Sequence, residues 1–165
     1  MLKYFDETRV AVLIANGFNN FDFYPIIGKL KQSGISISVI SPEEKVVKPL
    51  EAFESELFSS FVSTGNFLKV DFHPEEVSPF DFQLLIIPGG AFSAYKLISD
   101  NESVSFVKKF YESKKPIASI SHGVRILSEL VSLKGKFLTS PIEYKDMFRS
   151  LGATWLDEKI LVDGK

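Results

Sequence analysis

Lys115-Pro116-Ile117-Ala118-Ser119-Ile120-Ser121-His122-Gly123 reads as a short β-rich run, Pro116 to Ile120, that ends in a sharp turn before a helix over Val124 to Val131. A turn of this kind, between a strand and the helix that follows, is where α/β enzymes expose a nucleophile. It requires small residues on both sides so that the backbone can fold tightly, and Ser119 and Gly123 meet that need. Ser121 stands at the tip. There the amides of the turn and the N-terminus of a helix favour a developing negative charge. The same serine also suits a plain helix N-cap, and the local sequence leaves both roles open.

Working outward, Arg9 to Ala15 is a continuous apolar run ending at the turn signal Asn16-Gly17, the pattern of a parallel strand buried on both faces. Phe21 to Ser33 has near-helical apolar spacing, with Gly34 as its stop, and Ile35 to Ile40 alternates as a second strand. Pro42 and Pro49 break the next stretch, and Leu50 to Val62 reads as a short helix or an irregular excursion. Phe67 to Phe72 is a candidate strand. Phe82 to Ile87 is a buried strand that ends at Pro88-Gly89-Gly90, and Asn101 to Lys114 is an amphipathic helix. Tyr144 to Ser150 reads as a helix stopped by Gly152, and Trp155 to Val162 as one or two last strands. Strands alternating with helices predict a doubly wound, mostly parallel sheet with helices on both faces. Ligands of such sheets sit beyond the carboxyl ends of the strands. Three loops meet there: Asn16 to Asp22, Gly89-Gly90 and Ser121-His122-Gly123. Asp22 is the only carboxylate of the first, and reads either as a solvated first-turn acid or as a group aimed at Ser121.

Composition narrows the function classes. The 165 residues are 45% hydrophobic and 24% charged, as in a globular domain, and are expected to form one domain over 1–165. A formal net charge of −2, with no Lys/Arg stripe, gives no footprint for nucleic acid. No apolar run approaches the roughly 20 residues that span a bilayer, and the N-terminus lacks a signal-peptide pattern, so a cytoplasmic location without membrane attachment is expected. There is no cysteine, which removes disulfides, cysteine-zinc sites and thiol catalysis for these residues. The two histidines, His73 and His122, lack metal-ligand spacing, so neither a metal nor another cofactor is expected. His73, just before Pro74, reads as a loop residue.

The order of the motifs is that of a known family. Val12-Leu13-Ile14-Ala15-Asn16-Gly17-Phe18, Ile86-Ile87-Pro88-Gly89-Gly90 and Lys115 to Gly123 are followed by Leu133-Lys134-Gly135-Lys136, Thr139-Ser140, Lys145-Asp146, Leu151-Gly152-Ala153 and Val162-Asp163-Gly164. Together they resemble the ThiJ/PfpI superfamily over nearly the whole chain except residues 42–63. The resemblance implies a flavodoxin-like sandwich related to class I glutamine amidotransferases, usually a homodimer, whose members act as glyoxalases, deglycases, peptidases, amidases, chaperones or regulators. It implies chemistry at an elbow cysteine, matched by Ser121, with an adjacent histidine matched by His122, a contacting acid matched by Asp22, and backbone donors matched by Gly89, Gly90 and His122. The ligand expected is a small carbonyl compound or a peptide.

Against that pattern, several positions depart. Serine stands for cysteine at 121, Asn19 for an acid of the first loop, and Val124 for a proline. Ala94 stands for an acid that orients the histidine from across a subunit interface in the protease-like branch. The usual Ser-Tyr-Pro motif reads Ser140-Pro141-Ile142. The chain also ends at Lys165, before the family's closing strand and helix. A hydroxyl needs a positioned base where a thiolate does not. The departures therefore favour a member that has lost cysteine-dependent activity and acts as a non-catalytic binding or structural homodimer. The alternative is a serine-dependent hydrolase of amidase, peptidase or esterase type. That alternative requires a base for Ser121, and neighbouring side chains such as His122 often diverge on a turn like this.

Overall fold

The computed structural model describes residues 8–50 and 67–164. In chain order the elements are β1 (Arg9–Leu13), α1 (Asn20–Gln32), β2 (Ser36–Ile40), β3 (Val46–Val47), β4 (Leu68–Lys69), β5 (Leu84–Ile87), α2 (Ala91–Ser99), α3 (Asn101–Glu112), β6 (Ile117–Ser119), a tightly wound elbow helix (Ser121–Glu129), β7 (Phe137–Leu138), α4 (Lys145–Ser150) and β8 (Thr154–Trp155). The central sheet runs β2-β1-β5-β6 with every pairing parallel. Leu13 lies opposite Ile40, Val12 opposite Ile86 and Ile87 opposite Ser119, so the strands end at one common edge.

The alternation of a strand sends β1 into two cores. Ala11 and Leu13, with Ala15 beyond the strand end, join Leu85, Ile87, Leu97, Phe106, Phe110, Ile126 and Phe148 on one face. Val10, Val12 and Ile14 join Phe18, Phe23, Ile27, Val39 and Ile86 on the other. Helix α1 covers the second face, while α2, α3 and the elbow helix cover the first. The expected flavodoxin-like α/β sandwich is thus the observed one. It explains why β1 is apolar throughout: a parallel sheet between two helical layers leaves no face for water.

Three expectations need correction, and one helix has no counterpart among them. The expected strand over Trp155 to Val162 is limited to Thr154–Trp155, which pairs in parallel with β7 in a separate small sheet. Asp157, Glu158 and Lys159 interrupt the apolar pattern, and Ile160 and Val162 project into solvent. The candidate strand Phe67 to Phe72 forms regular pairing only at Leu68–Lys69, antiparallel to β3. Its remainder runs beside β2, where the Asp71 carboxylate accepts from the Val39 amide at 2.8 Å. Helix α2 was not expected from sequence, because it buries only Ser93, Ala94 and Leu97 and its inner face carries little apolar signal. The helix expected over Val124 to Val131 starts three residues earlier, at Ser121 itself. The alternatives weighed for Leu50 to Val62 lie almost wholly outside the described residues.

Candidate active site

The frame of the site is backbone. The strand ends of β1, β5 and β6 bring three loops together, and main-chain bonds tie them. Asn19 N–H donates to the Gly89 carbonyl at 2.9 Å and Ile120 N–H to the Ile87 carbonyl at 3.0 Å, while within the first turn of α2 Ala94 N–H donates to the Gly90 carbonyl at 2.9 Å. The side chain of Asn19 accepts from Phe21 N–H at 2.9 Å and caps α1, which fixes the first turn of that helix and so the position of Asp22. Gly123 is forced by this closeness: a Cβ there would lie 2.4 Å from the Pro88 carbonyl oxygen and 2.5 Å from that of Ile87. The elbow helix therefore lies directly against the end of β5.

On that frame Ser121 is held at φ 49°, a left-handed conformation unusual for a residue with a side chain. The N-cap of the elbow helix is Ile120, so the plain capping role for Ser121 is excluded. Its hydroxyl instead lies 3.2 Å from His122 Nδ1. The neighbouring side chains converge, contrary to the divergence expected of such a turn. The left-handed backbone of Ser121 turns the two side chains toward one another. On its far side His122 Nε2 lies 3.2 Å from Glu143 Oε1, so the imidazole bridges a hydroxyl and a carboxylate. The His122 ring also meets the Tyr144 ring edge to face at 5.8 Å, and Tyr144 meets the buried Phe148 in the same manner at 6.5 Å.

Asp22 approaches from the opposite side. A Cβ on Gly89 would fall 2.2 Å from Asp22 Oδ2 and 3.2 Å from Ser121 Cβ, so the carboxyl and the serine converge over the space where Gly89 has no side chain. Oδ2 is buried and has no hydrogen-bond partner among the described residues. Burial raises the proton affinity of Asp22 above the ordinary carboxyl value, and the nearby His122 pulls it partly back down. The Tyr144 hydroxyl is likewise raised, mainly by burial and then by Glu143, with Arg125 opposing. The amides of Gly89 and Gly90 donate to no described backbone acceptor, and that of His122, in the first turn of its helix, has none within it. Among the described residues no three His, Asp or Glu side chains gather as a metal site.

Of the residues singled out from sequence, Ser121, His122, Asp22, Gly89 and Gly90 all lie at this one edge. Ala94 is buried in α2. His73 precedes a short turn elsewhere in the chain. Glu143 was missed. It follows Ser140-Pro141-Ile142, where the sequence departs from the familiar motif, and nothing local marks an acid in that turn as facing His122.

The model of the DJ-1/PfpI family matches residues 8–165. The chain belongs to the DJ-1/PfpI family. Among its relatives is a protein of Thermococcus kodakarensis named Deglycase TK1284, 31% identical over 94% of this chain and 86% of its own length. Deglycase PfpI of Pyrococcus furiosus is 28% identical over the same shares. A solved two-domain protein of Anabaena variabilis, with DJ-1/ThiJ/PfpI-like and ferritin-like domains, matches at 28% identity and a TM-score of 0.81, over 95% of this chain and 42% of that one. Schizosaccharomyces pombe DJ-1 shares the fold at 21% identity, with a TM-score of 0.74 over 94% of this chain and 79% of that one. No helix among the described residues is long and apolar enough to cross a membrane.

Proposed function

We propose that this DJ-1/PfpI-family chain is a serine-dependent hydrolase of small acyl compounds, such as esters or amides, with Ser121 as nucleophile and His122 as its base. The observation that carries this reading is the 3.2 Å approach of Ser121 Oγ to His122 Nδ1 on a strained elbow. It supplies the positioned base that a hydroxyl nucleophile needs. The cysteine-dependent glyoxalase, deglycase and peptidase chemistry that the family resemblance implies is absent in this reading, since no cysteine is present.

In the acylation step the Ser121 oxygen bonds to the acyl carbon, and its proton passes to His122 Nδ1. The carbonyl π pair moves onto oxygen, which the amides of Gly89, Gly90 and His122 receive. Collapse breaks the bond to the leaving group, which takes the proton from Nδ1. Water then repeats the sequence on the acyl-serine, releasing the acid and restoring the hydroxyl. Asp22 borders the same space, its carboxyl converging with Ser121 over Gly89, and burial raises its proton affinity. Assembly as a homodimer is carried in this reading as a further expectation, tested by sedimentation.

A fluorophosphonate probe should label Ser121. Hydrolysis of p-nitrophenyl acetate should fall by about a hundredfold or more in Ser121→Ala. Absence of labelling, together with no turnover above background, leaves the elbow as a non-catalytic binding site. That is the second reading, and the unpartnered Oδ2 of Asp22 beside Gly89 favours it as an acceptor for a ligand.

A further inference from the structure

We infer that Glu143 is the positioning residue for His122, and that it makes the site complete within a single chain. The inference rests on the proposed Ser121–His122 chemistry and extends it to a group that neither sequence pattern nor resemblance assigns.

The first observation is geometric. A neutral imidazole has one N–H donor and one bare acceptor nitrogen. For His122 to take the Ser121 proton, Nδ1 must be the bare nitrogen and Nε2 must carry the hydrogen. Glu143 Oε1 lies 3.2 Å from Nε2 and, as a carboxylate, only accepts. It therefore selects the Nε2–H tautomer, which leaves Nδ1 open toward the hydroxyl 3.2 Å away. When His122 takes up the proton, the same carboxylate faces the imidazolium and stabilises it.

The second observation is how Glu143 is held. It sits in the short turn Ile142–Tyr144, closed by Tyr144 N–H donating to the Pro141 carbonyl at 3.0 Å. Tyr144, the next residue, is keyed through its ring to Phe148, which is fully buried. The turn is thus anchored to the core one residue from the carboxylate, and His122 rests its ring on that same anchor. The Glu143 side chain is 53% exposed and that of His122 is 32% exposed. Such a pair adds little stability, because water screens it. Its effect is on orientation.

The third observation concerns Ala94. The resemblance implies that in one branch of the family this position holds an acid donated across a subunit interface to the histidine. Here the position is a buried alanine on α2. A carboxylate from the chain's own residue 143 stands at the imidazole instead. Nucleophile, base and orienting acid then all come from one polypeptide, and assembly is not needed to complete them.

Two variants and one mixture test this. Glu143→Gln should fold normally and lower kcat for p-nitrophenyl acetate by roughly tenfold, less than a buried triad acid would, with KM little changed. Glu143→Asp should recover part of the rate. Mixing Ser121→Ala with Glu143→Gln protein should give no activity beyond the residual rate of the Glu143→Gln protein, since neither chain carries a full set. Unchanged kcat in Glu143→Gln, or activity in the mixture above that of the Glu143→Gln protein alone, would overturn the inference. A readout independent of turnover separates its failure from failure of the serine reading. The ring nitrogens of His122, recorded by NMR at mildly alkaline pH and assigned with His73→Gln, should show one Nε2–H tautomer whose proton exchanges slowly. Glu143→Gln should speed that exchange. If it does so while Ser121 is unreactive to the probe, Glu143 holds the ring and only the hydrolase reading falls. If exchange is unaffected, the positioning role falls whatever the rate.

Discussion

The two halves of the site are built from different materials. The frame, from Pro88-Gly89-Gly90 to Ser121-His122-Gly123, is main chain against main chain, and its dimensions follow from the sheet register. The proposed relay, from Ser121 through His122 to Glu143, is side chain against side chain, half open to water, and spans two segments about twenty residues apart. The frame cannot shift without moving strands, whereas the relay can be dismantled with little effect on the fold. Under mutation, chemistry should therefore follow 121, 122 and 143, while the largest stability losses should follow the glycines; Ser121, which belongs to both halves, should move both.

The hardest blow to the frame is Gly123→Ala. The added methyl meets two carbonyl oxygens of the backbone, neither of which can move without displacing the end of β5. A cost of about 3 kcal/mol is expected, which for a domain of this size lowers Tm by roughly 10 °C. Gly89→Ala is the informative partner. Its nearest obstacle is the free end of the Asp22 carboxyl, which can swing aside. It should cost about 1 kcal/mol while moving Asp22 away from the elbow. Equal losses in calorimetry would mean that both glycines are bounded by rigid backbone, and the contrast between frame and side chains would be lost.

The same contrast explains what could be read from the sequence. Backbone features leave local marks: β1 announces burial on both faces by being apolar throughout, and Gly89, Gly90 and Gly123 mark tight approaches. These placed the sheet edge, and with it Ser121, His122 and Asp22. Helix α2 left no such mark, because its inner face of Ser93, Ala94 and Leu97 is mostly small. The strand expected through Val162 failed for the opposite reason: Ile160 and Val162 have the right side chains, but among the described residues no neighbouring strand receives them. Glu143 was invisible because its role depends on where the turn after β7 is carried, which local pattern does not encode. The convergence of Ser121 with His122 was hidden for a subtler reason. It follows from one backbone angle, and a serine does not advertise a positive φ as a glycine does.

That angle gives the next test. Ser121 is held at φ 49°, which costs a residue with a Cβ about 1 kcal/mol relative to glycine. Ser121→Gly should therefore raise the stability measured in urea by about 1 kcal/mol, offset in part by the added freedom of the unfolded chain. It should also remove all reaction with a fluorophosphonate. A protein that gains stability by losing its candidate nucleophile would show strain kept at the elbow for the sake of geometry. A loss of stability would mean that the hydroxyl's contact with His122 outweighs the backbone strain.

The smallest effect expected is at Asp22, where frame and relay touch. Its carboxyl is raised in proton affinity by burial, with His122 opposing. An acid whose folded pKa lies above its unfolded value of about 3.9 is neutral in both states at lower pH and then affects stability little. As pH rises, the unfolded chain ionises first, so the folded protein loses stability until the folded value is passed, and the loss is constant above it. Asp22→Asn lacks this titration. Its Tm relative to the parent should be lowest in acid, climb as pH passes upward through the carboxyl range, and level off toward neutrality at a gain smaller than that of Ser121→Gly. A gap that shrinks as pH rises would show the opposite sign: an ionised Asp22 stabilised by the frame, with the imidazole of His122 as the charge beside it.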